Sequence, residues 1–418
     1  MFEINRGRIN LLLSTTAFTV SSAGSVLLHI VLAMAIYAKT GSGLMTSLFI
    51  SLQWLPALLV VLYRSDWEHG MNPRVRWYVL DLVSAVLTLP ILFLVVGEHY
   101  LPVVLLLLVR GLVDHVNRIN KTVAARALFP KEKVTHYASF LQTGYHFGIG
   151  LAAIVGIFLA SRVDIRLVVL IDALTFVLSA ALVYFTRCVE QVDYQSTAPR
   201  KSLASRIAEY RDALAGDRRL LVCAMLMPLT ATFFQGSYSV LQPIFPVQKL
   251  GLGAAAVSAS YVLASLAIIA GSSSFSFFCK KYRLFERAFV HTRVLVAALS
   301  LLAAAFYLAS VWTADPIVSA VAFTLMIVLF EFVWMMGYGG TVAYAPKGQL
   351  GSVFGISFAI GCFLASLLAA GVGMLLDYLG NDFVQLVGLL MALFLSVVAF
   401  AVMGEKRETA AYSDGTSS

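Results

Sequence analysis

The chain has 418 residues, of which 60% are hydrophobic and only 12% are charged, and its mean hydropathy is +0.86. This composition excludes a soluble globular protein and indicates a polytopic membrane protein. Basic residues outnumber acidic ones by 30 to 22, an excess that membrane topology accounts for and that does not indicate nucleic-acid binding.

Twelve apolar runs are long enough to cross a bilayer core of roughly 30 Å as helices of about 20 residues. They cover residues 11–37, 43–63, 76–97, 102–126, 136–160, 165–186, 220–247, 252–278, 288–312, 317–344, 349–376 and 383–403. Runs of this length favour helices over the short alternating strands of a barrel. We therefore predict an all-α membrane protein with 12 transmembrane helices. The first run has no small-residue cleavage site and is expected to stay as the first helix.

The positions of Lys and Arg predict the orientation. With the N-terminus inside, the outside loops contain only Lys39, Arg162, Arg166 and Lys249. The positive-inside rule then predicts that both termini are cytoplasmic.

The longest internal polar segment divides the chain. We predict an N-terminal six-helix bundle (1–186), a cytoplasmic linker (187–219), a C-terminal six-helix bundle (220–404) and a cytoplasmic tail (405–418). Within the linker, the spacing of Leu203, Ile207, Tyr210 and Leu214 predicts an amphipathic helix on the inner surface. Six spans on each side suggest two repeats around an axis along the membrane normal, with a ligand site between them.

Charged and amide side chains follow one face of the fourth span, at Arg110, Asp114, Asn117, Arg118 and Lys121. A charge facing lipid near the bilayer centre costs at least about 2.5 to 3.5 kcal/mol, so this face must turn toward protein or a water-filled cavity. Two interpretations remain open. Arg110 and Asp114 could simply neutralise each other while Arg118 and Lys121 snorkel to the inner interface, or the face could line a substrate or proton pathway.

The tenth span, which is the counterpart of the fourth, has an acid at a similar depth, Glu331, and this favours a pathway. We predict that Asp114, Glu331 and Arg110 couple transport to protons and that Arg110 and Arg118 bind substrate. The fourth span has a formal balance of 3 − 1 = +2, or +1 with Glu331, which predicts an anionic ligand.

Further polar and aromatic positions fit the same cavity, although each also fits ordinary packing. These predicted substrate-binding residues are Ser22, Ser25, His29, Gln235, Tyr238, Trp334 and Tyr338. The isolated Cys188, Cys223, Cys279 and Cys362 support neither a disulfide framework nor a metal site. No cofactor is expected, and we find no phosphate-binding loop or catalytic motif of a membrane enzyme.

Glycines recur in the fifth span, among them Gly144 and Gly148. Small residues at four-residue spacing let helix backbones approach closely. Tight packing is one interpretation, and a conformational hinge is the other.

Several motifs resemble the major facilitator superfamily. YRSDWEHGMNPRVRWYVLD (Tyr63 to Asp81) is similar to the family motif between the second and third helices, with Asp66, Gly70, Arg74 and Arg76 at the matching positions. CKKYRLFER (Cys279 to Arg287) keeps the basic residues of its repeat. RALFPKEKVTHYASFLQTGYHFGIG followed by VDIRLVVLIDALTFVLSAALV resembles the branch that exports enterobactin and macrolides.

The resemblance implies a drug:proton-antiporter type of transporter with the 12-helix major facilitator fold. We expect a monomer in the bacterial inner membrane that exports a small anionic metabolite such as a siderophore by alternating access, with protons as the coupling ion. Four alternatives remain: export of amphipathic antibiotics, import, lipid flipping, and a membrane receptor or lipid-modifying enzyme.

Overall fold

The fold was analysed in a computed structural model, which describes residues 2–40, 49, 54–63, 71–96, 100–130, 134–159, 164–189, 202–233, 236, 242, 245–246, 250–252, 254–282, 289–346, 349–380 and 382–404. All regular secondary structure in these ranges is helical. The helices are α1 (Phe2–Thr40), α2 (Pro56–Tyr63), α3 (Pro73–Val96), α4 (Tyr100–Leu128), α5 (Val134–Leu159), α6 (Ile165–Tyr184), α7 (Leu203–Gly216), α8 (Arg218–Phe233), α9 (Ala254–Tyr282), α10 (Phe289–Trp312), α11 (Pro316–Tyr344), α12 (Leu350–Leu379) and α13 (Asp382–Gly404).

Each of the twelve predicted spans overlaps one of these helices, and α7 lies in the predicted linker. Within the described ranges, seven helices are long and apolar enough to cross a membrane, namely α1, α3, α6, α9, α10, α11 and α12. The second and seventh spans are described only in part, as α2 and α8. The all-α fold predicted from the hydrophobic runs is confirmed.

Several helices begin at residues whose side chains satisfy free backbone N–H groups, among them α6, α7 and α11. Asp164, Ser202 and Asp315 precede α6, α7 and α11, and each accepts at least one hydrogen bond from the first turn. Pro316 follows Asp315, at a position where its missing N–H costs no hydrogen bond. These caps fix where the helices start.

Three helix pairs of the first half have counterparts that pack in the second half. In the first half α1 contacts α5, and α3 contacts α4 and α6; in the second half α8 contacts α12, and α10 contacts α11 and α13. The halves meet through α5 against α9 and through α2 against α12. In the two repeats, α5 corresponds to α12 and α2 corresponds to α9. The two interfaces are therefore equivalent, as expected for two repeats about one axis.

The linker helix α7 packs against α8 and α12. Arg206 and Leu214 of this helix are buried and Ile207 is 53% exposed, and its place on the inner membrane surface stays a prediction. The Tyr210 hydroxyl is 2.9 Å from Ser357 Oγ on α12. A polar contact therefore joins the linker to a helix of the second half.

The glycines of α5 allow close contact with α1. A Cβ atom on Gly144 would lie 2.7 Å from Thr15 Cγ2, and one on Gly148 would collide with Ser22 Oγ and the Thr19 carbonyl oxygen. The backbones therefore approach as closely as the predicted packing role requires. A hinge role for these glycines stays a prediction.

We expect Gly148→Ala to destabilise the protein by about 1–3 kcal/mol, because the added methyl group must push α1 and α5 apart. Gly371→Ala is the matched control, since a Cβ atom at this helical position meets nothing within 4 Å and alanine favours helix. Thermal unfolding of the purified proteins in detergent measures both. Equal midpoints for the two variants would contradict the close-packing role of Gly148.

Candidate functional site

A cavity of about 120 Å³ lies in the first half of the protein. A single buried water needs roughly 10–15 Å³ on this scale, so the space can hold a small solute. Its walls come from α1, α4, α5 and α6, together with Phe49 and Trp54. They include most of the predicted site residues of the first half, namely Ser22, Ser25, His29, Arg110, Asp114, Asn117, Arg118 and Lys121. The predicted polar face of α4 therefore lines a cavity.

Arg110 has a different principal partner from the one predicted. Its Nη1 lies 2.6 Å from Asp172 Oδ2, whereas its Nε is 3.7 Å from Asp114 Oδ2. Its Nη2 also donates to Ser25 Oγ at 2.8 Å. Arg110 and Asp172 are almost completely buried. The ion pair of α4 is therefore made chiefly with α6, and not with the acid one turn along α4.

Asp172 also interacts with hydroxyl groups of two other helices. Thr88 Oγ1 on α3 donates to Asp172 Oδ2 at 3.4 Å, and Ser25 Oγ on α1 donates to Oδ1 at 3.5 Å. The predicted substrate-binding residue Ser25 thus belongs to the ion-pair network as well as to the cavity wall. Sequence reasoning gave Asp172 no part in the site, although an acid inside the sixth apolar run was the available signal.

Lys121 forms the second buried pair, with Asp81 of α3. Its Nζ is 3.9 Å from Asp81 Oδ1 and lies over the rings of Phe18 and Trp77. Asp81 accepts hydrogen bonds of 2.6 Å from both Asn117 and Ser179. Snorkelling of Lys121, one interpretation of the sequence, is wrong because its ammonium group is held inside the protein.

Asp114 and Arg118 differ from these buried pairs. The Asp114 side chain is 33% exposed and accepts a hydrogen bond of 3.1 Å from Ser84 Oγ. The Arg118 guanidinium carbon lies 4.6 Å from the ring centre of Tyr145 on α5 and 4.9 Å from that of Phe358 on α12. Within the described ranges, no ion pair within 4.0 Å includes Arg118. Both groups are half-buried and face the cavity.

The formal charge around the cavity is lower than the sequence suggested. Arg110, Arg118 and Lys121 give +3, and Asp114 with the newly placed Asp81 and Asp172 gives −3, so the balance is 0 and not +2. Arg118 is the cation of this group that its neighbours do not neutralise directly.

Glu331 lies where the two halves meet. It accepts a hydrogen bond of 2.8 Å from Ser272 Oγ on α9, and His146 Nε2 of α5 is 3.8 Å from its Oε1. Its side chain is buried and is not part of the cavity wall. The predicted partnership between Glu331 and Asp114 is therefore not a direct contact.

The remaining predicted residues lie elsewhere. Trp334 and Tyr338 pack in the apolar core of the second half with Phe354 and Phe358, outside the cavity wall, and their binding role stays a prediction. Gln235, Tyr238, Asp66 and Gly70 are outside the described residues. Arg74 donates to the Tyr184 carbonyl oxygen at 2.9 Å, and Arg76 donates to the Met71 carbonyl oxygen at 3.4 Å.

Comparison with known families matches residues 13–370 to the Major Facilitator Superfamily. The chain belongs to the major facilitator superfamily. The match confirms the family that the motifs of the sequence resemble, and it fits the multi-pass helical fold. It does not distinguish the enterobactin and macrolide exporter branch.

Solved structures of this superfamily share the fold over nearly the whole chain. The human organic anion transporter MFSD10 (TETRAN) has a TM-score of 0.67 at 15% identity, covering 96% of this chain and 98% of its own. The Escherichia coli fucose:proton symporter has a TM-score of 0.64 at 15% identity, covering 94% and 98%. A bacterial homolog of the human lysosomal transporter Spinster, in an inward-facing conformation, has a TM-score of 0.66 at 12% identity, covering 95% and 96%. No curated protein matches the chain.

We expect Asp172→Asn to destabilise the protein by about 3–5 kcal/mol, because it leaves the Arg110 guanidinium buried without its main counter-charge. Asp164→Asn is the control near the same helix. Asp164 is exposed, its pair with Arg166 is at the surface, and asparagine also caps helices, so the change should stay within about 0.5 kcal/mol. Thermal unfolding in detergent distinguishes the two, and similar small shifts would argue against a structural role of the buried pair.

Proposed function

We propose that this major facilitator protein is a secondary active transporter that exports a small anionic metabolite, such as a siderophore, by alternating access coupled to protons. We further propose that it works as a monomer in the bacterial inner membrane, with the termini and the linker in the cytoplasm. The observation that carries the proposal is a cavity whose wall contains Arg118, a guanidinium group without an ion-pair partner in the described part of the chain.

Arg118 supports an anionic substrate. Arginine presents several N–H donors in a planar fork that matches carboxylate and phosphate groups. No ion pair in the described part of the chain neutralises this guanidinium group, so it can bind an anionic group that enters the cavity. The fold is also shared with a protein known as an organic anion transporter.

Two carboxylates support proton coupling. Asp114 is half-buried at the cavity, and Glu331 is buried between the halves beside His146. A carboxyl group whose environment changes between two conformations binds its proton with different strength in each. Arg110 lies near Asp114 but is committed to Asp172, so its part in coupling would be to set the field at Asp114.

Export of an amphipathic antibiotic is the second candidate. The cavity wall is rich in rings, with Phe18, Phe49, Trp54, Tyr145 and Phe176 around the polar groups. Such a surface can hold an apolar ligand body through area burial and stacking. Efflux of cationic dyes by purified protein in vesicles, without transport of carboxylate or catecholate siderophores, would favour this candidate.

Gradient-driven transport of an anionic siderophore in proteoliposomes is the direct test of the proposed function. We expect Asp114→Asn to lower the flux to that of protein-free vesicles, because the variant cannot exchange a proton at the cavity. Asp114→Glu keeps a carboxyl group and should retain part of the flux. Full proton-driven flux by a normally folded Asp114→Asn protein would rule out this role.

Glu331→Gln should shift the pH profile of transport or the substrate affinity, because it removes a titratable group from the interface between the halves. Ser272→Ala is a useful companion, since it removes the hydrogen bond to the carboxylate and keeps the acid. Transport is measured between pH 5 and 8. If pH profile and affinity both match the parent protein, Glu331 has only a packing role.

A further inference from the structure

Two opposite charges face the cavity one helical turn apart on α4. Asp114 and Arg118 both belong to the cavity wall, and both are only half-buried. Their spacing places their Cβ atoms about 5–6 Å apart on one helix face. The cavity therefore offers an acceptor and a donor of opposite charge side by side.

Asp114 and Arg118 do not form an ion pair with each other within 4.0 Å. An acid four residues before a base on a helix normally favours such a pair. Here the guanidinium carbon of Arg118 lies over the rings of Tyr145 and Phe358, at 4.6 and 4.9 Å from their centres, and these rings come from two other helices. These two cation–π contacts give Arg118 partners other than Asp114.

The two ring contacts leave the N–H donors of Arg118 without an ion pair. A guanidinium group presents these donors outward in its own plane. Nothing in the described part of the chain forms an ion pair with them. An anionic group of a ligand could therefore accept two hydrogen bonds from this edge.

Asp114 likewise has acceptor capacity to spare. An ionised carboxylate has about four acceptor sites, and the described hydrogen bond to Asp114 comes from Ser84. Arg110, its nearest cation, is 3.7 Å away and makes a much shorter contact with Asp172. A cationic group of a ligand could therefore bind Asp114 without displacing a strong internal pair.

The other charges of the cavity are already matched. Arg110 is paired with Asp172, and Lys121 with Asp81, and all four side chains are buried. These pairs leave Asp114 and Arg118 as the two opposite charges on α4 that can meet a ligand.

We propose that the ligand of this cavity is a small zwitterion, whose cationic group binds Asp114 and whose anionic group binds Arg118. This inference rests on the proposed transport function and narrows its anionic metabolite to one that also carries an amine or another cation a few bonds away. Its uncharged body lies against apolar side chains of the wall such as Phe49, Leu107 and Phe176.

Ligands that differ by one charged group test the proposal. Leucine, 4-methylpentanoate and 3-methylbutylamine share a branched carbon skeleton. Leucine carries both charges, 4-methylpentanoate only the negative charge and 3-methylbutylamine only the positive charge. 4-Aminobutanoate and 6-aminohexanoate, each compared with its analogues that lack the amine or the carboxylate, extend the comparison to wider charge spacing. Thermal stabilisation of the purified full-length protein, measured at equal ligand concentrations, reports binding. We expect at least one zwitterion to shift the unfolding midpoint more than both of its singly charged analogues.

Variants of the two charged residues separate their contributions. Arg118→Gln should abolish the preference for the zwitterion over the amine, and Asp114→Asn should abolish its preference over the anion. The conservative changes Arg118→Lys and Asp114→Glu keep the charges and should keep both preferences. Residues that act only in packing would not produce this crossed pattern.

The outcomes distinguish this inference from the proposed function. If the anions stabilise the protein as strongly as every zwitterion of the panel, the proposal of a zwitterionic ligand is wrong. The proposed export of an anion is then unaffected. The zwitterion proposal is also wrong if no ligand of the panel shifts the unfolding midpoint while the protein exports a siderophore that has no cationic group. Selective zwitterion binding with no gradient-driven flux of any ligand would overturn the transport mechanism and support the binding site.

Discussion

The buried ion pair between Arg110 and Asp172 is the constraint on which the first half of the protein depends. Both side chains are almost completely buried, and a charge left alone there would cost several kcal/mol. The pair therefore links α4 to α6, and Ser25 and Thr88 connect it to α1 and α3. Three of these helices, α1, α4 and α6, line the cavity together with α5.

Much of the fold could be predicted from the sequence, because bilayer thickness imposes one length on every apolar run. The polar face of α4 was also predictable, since helical periodicity alone places Arg110, Asp114 and Arg118 together. Their partners were not, because Asp172 and Asp81 lie on α6 and α3 and only helix packing brings them to α4. The predicted charge of +2 was wrong for the same reason. For Trp334 and Tyr338, the sequence spacing places both on one helix face but does not show which residues that face contacts.

The two halves use the shared fold differently. The described polar network of Asp81, Arg110, Lys121 and Asp172 belongs entirely to the first half. The core of the second half is built mainly from apolar and aromatic side chains, and its buried Glu331 is satisfied by Ser272 and lies near His146 from the other half. Equivalent helix packing therefore coexists with an uneven distribution of charge, which places the candidate chemistry on α4 and at the interface.

The position of Arg118 has an energetic consequence for exchange between conformations. Tyr145 belongs to the first half and Phe358 to the second, so a separation of α12 from α4 in the proposed alternating access would remove one ring from the guanidinium group. A cation–π contact is worth about 0.5–2 kcal/mol, so the free energy of Arg118 differs between a state with both rings and a state with one. A ligand that binds Arg118 changes this difference, and it can shift the populations of the two states only by its differential affinity for them.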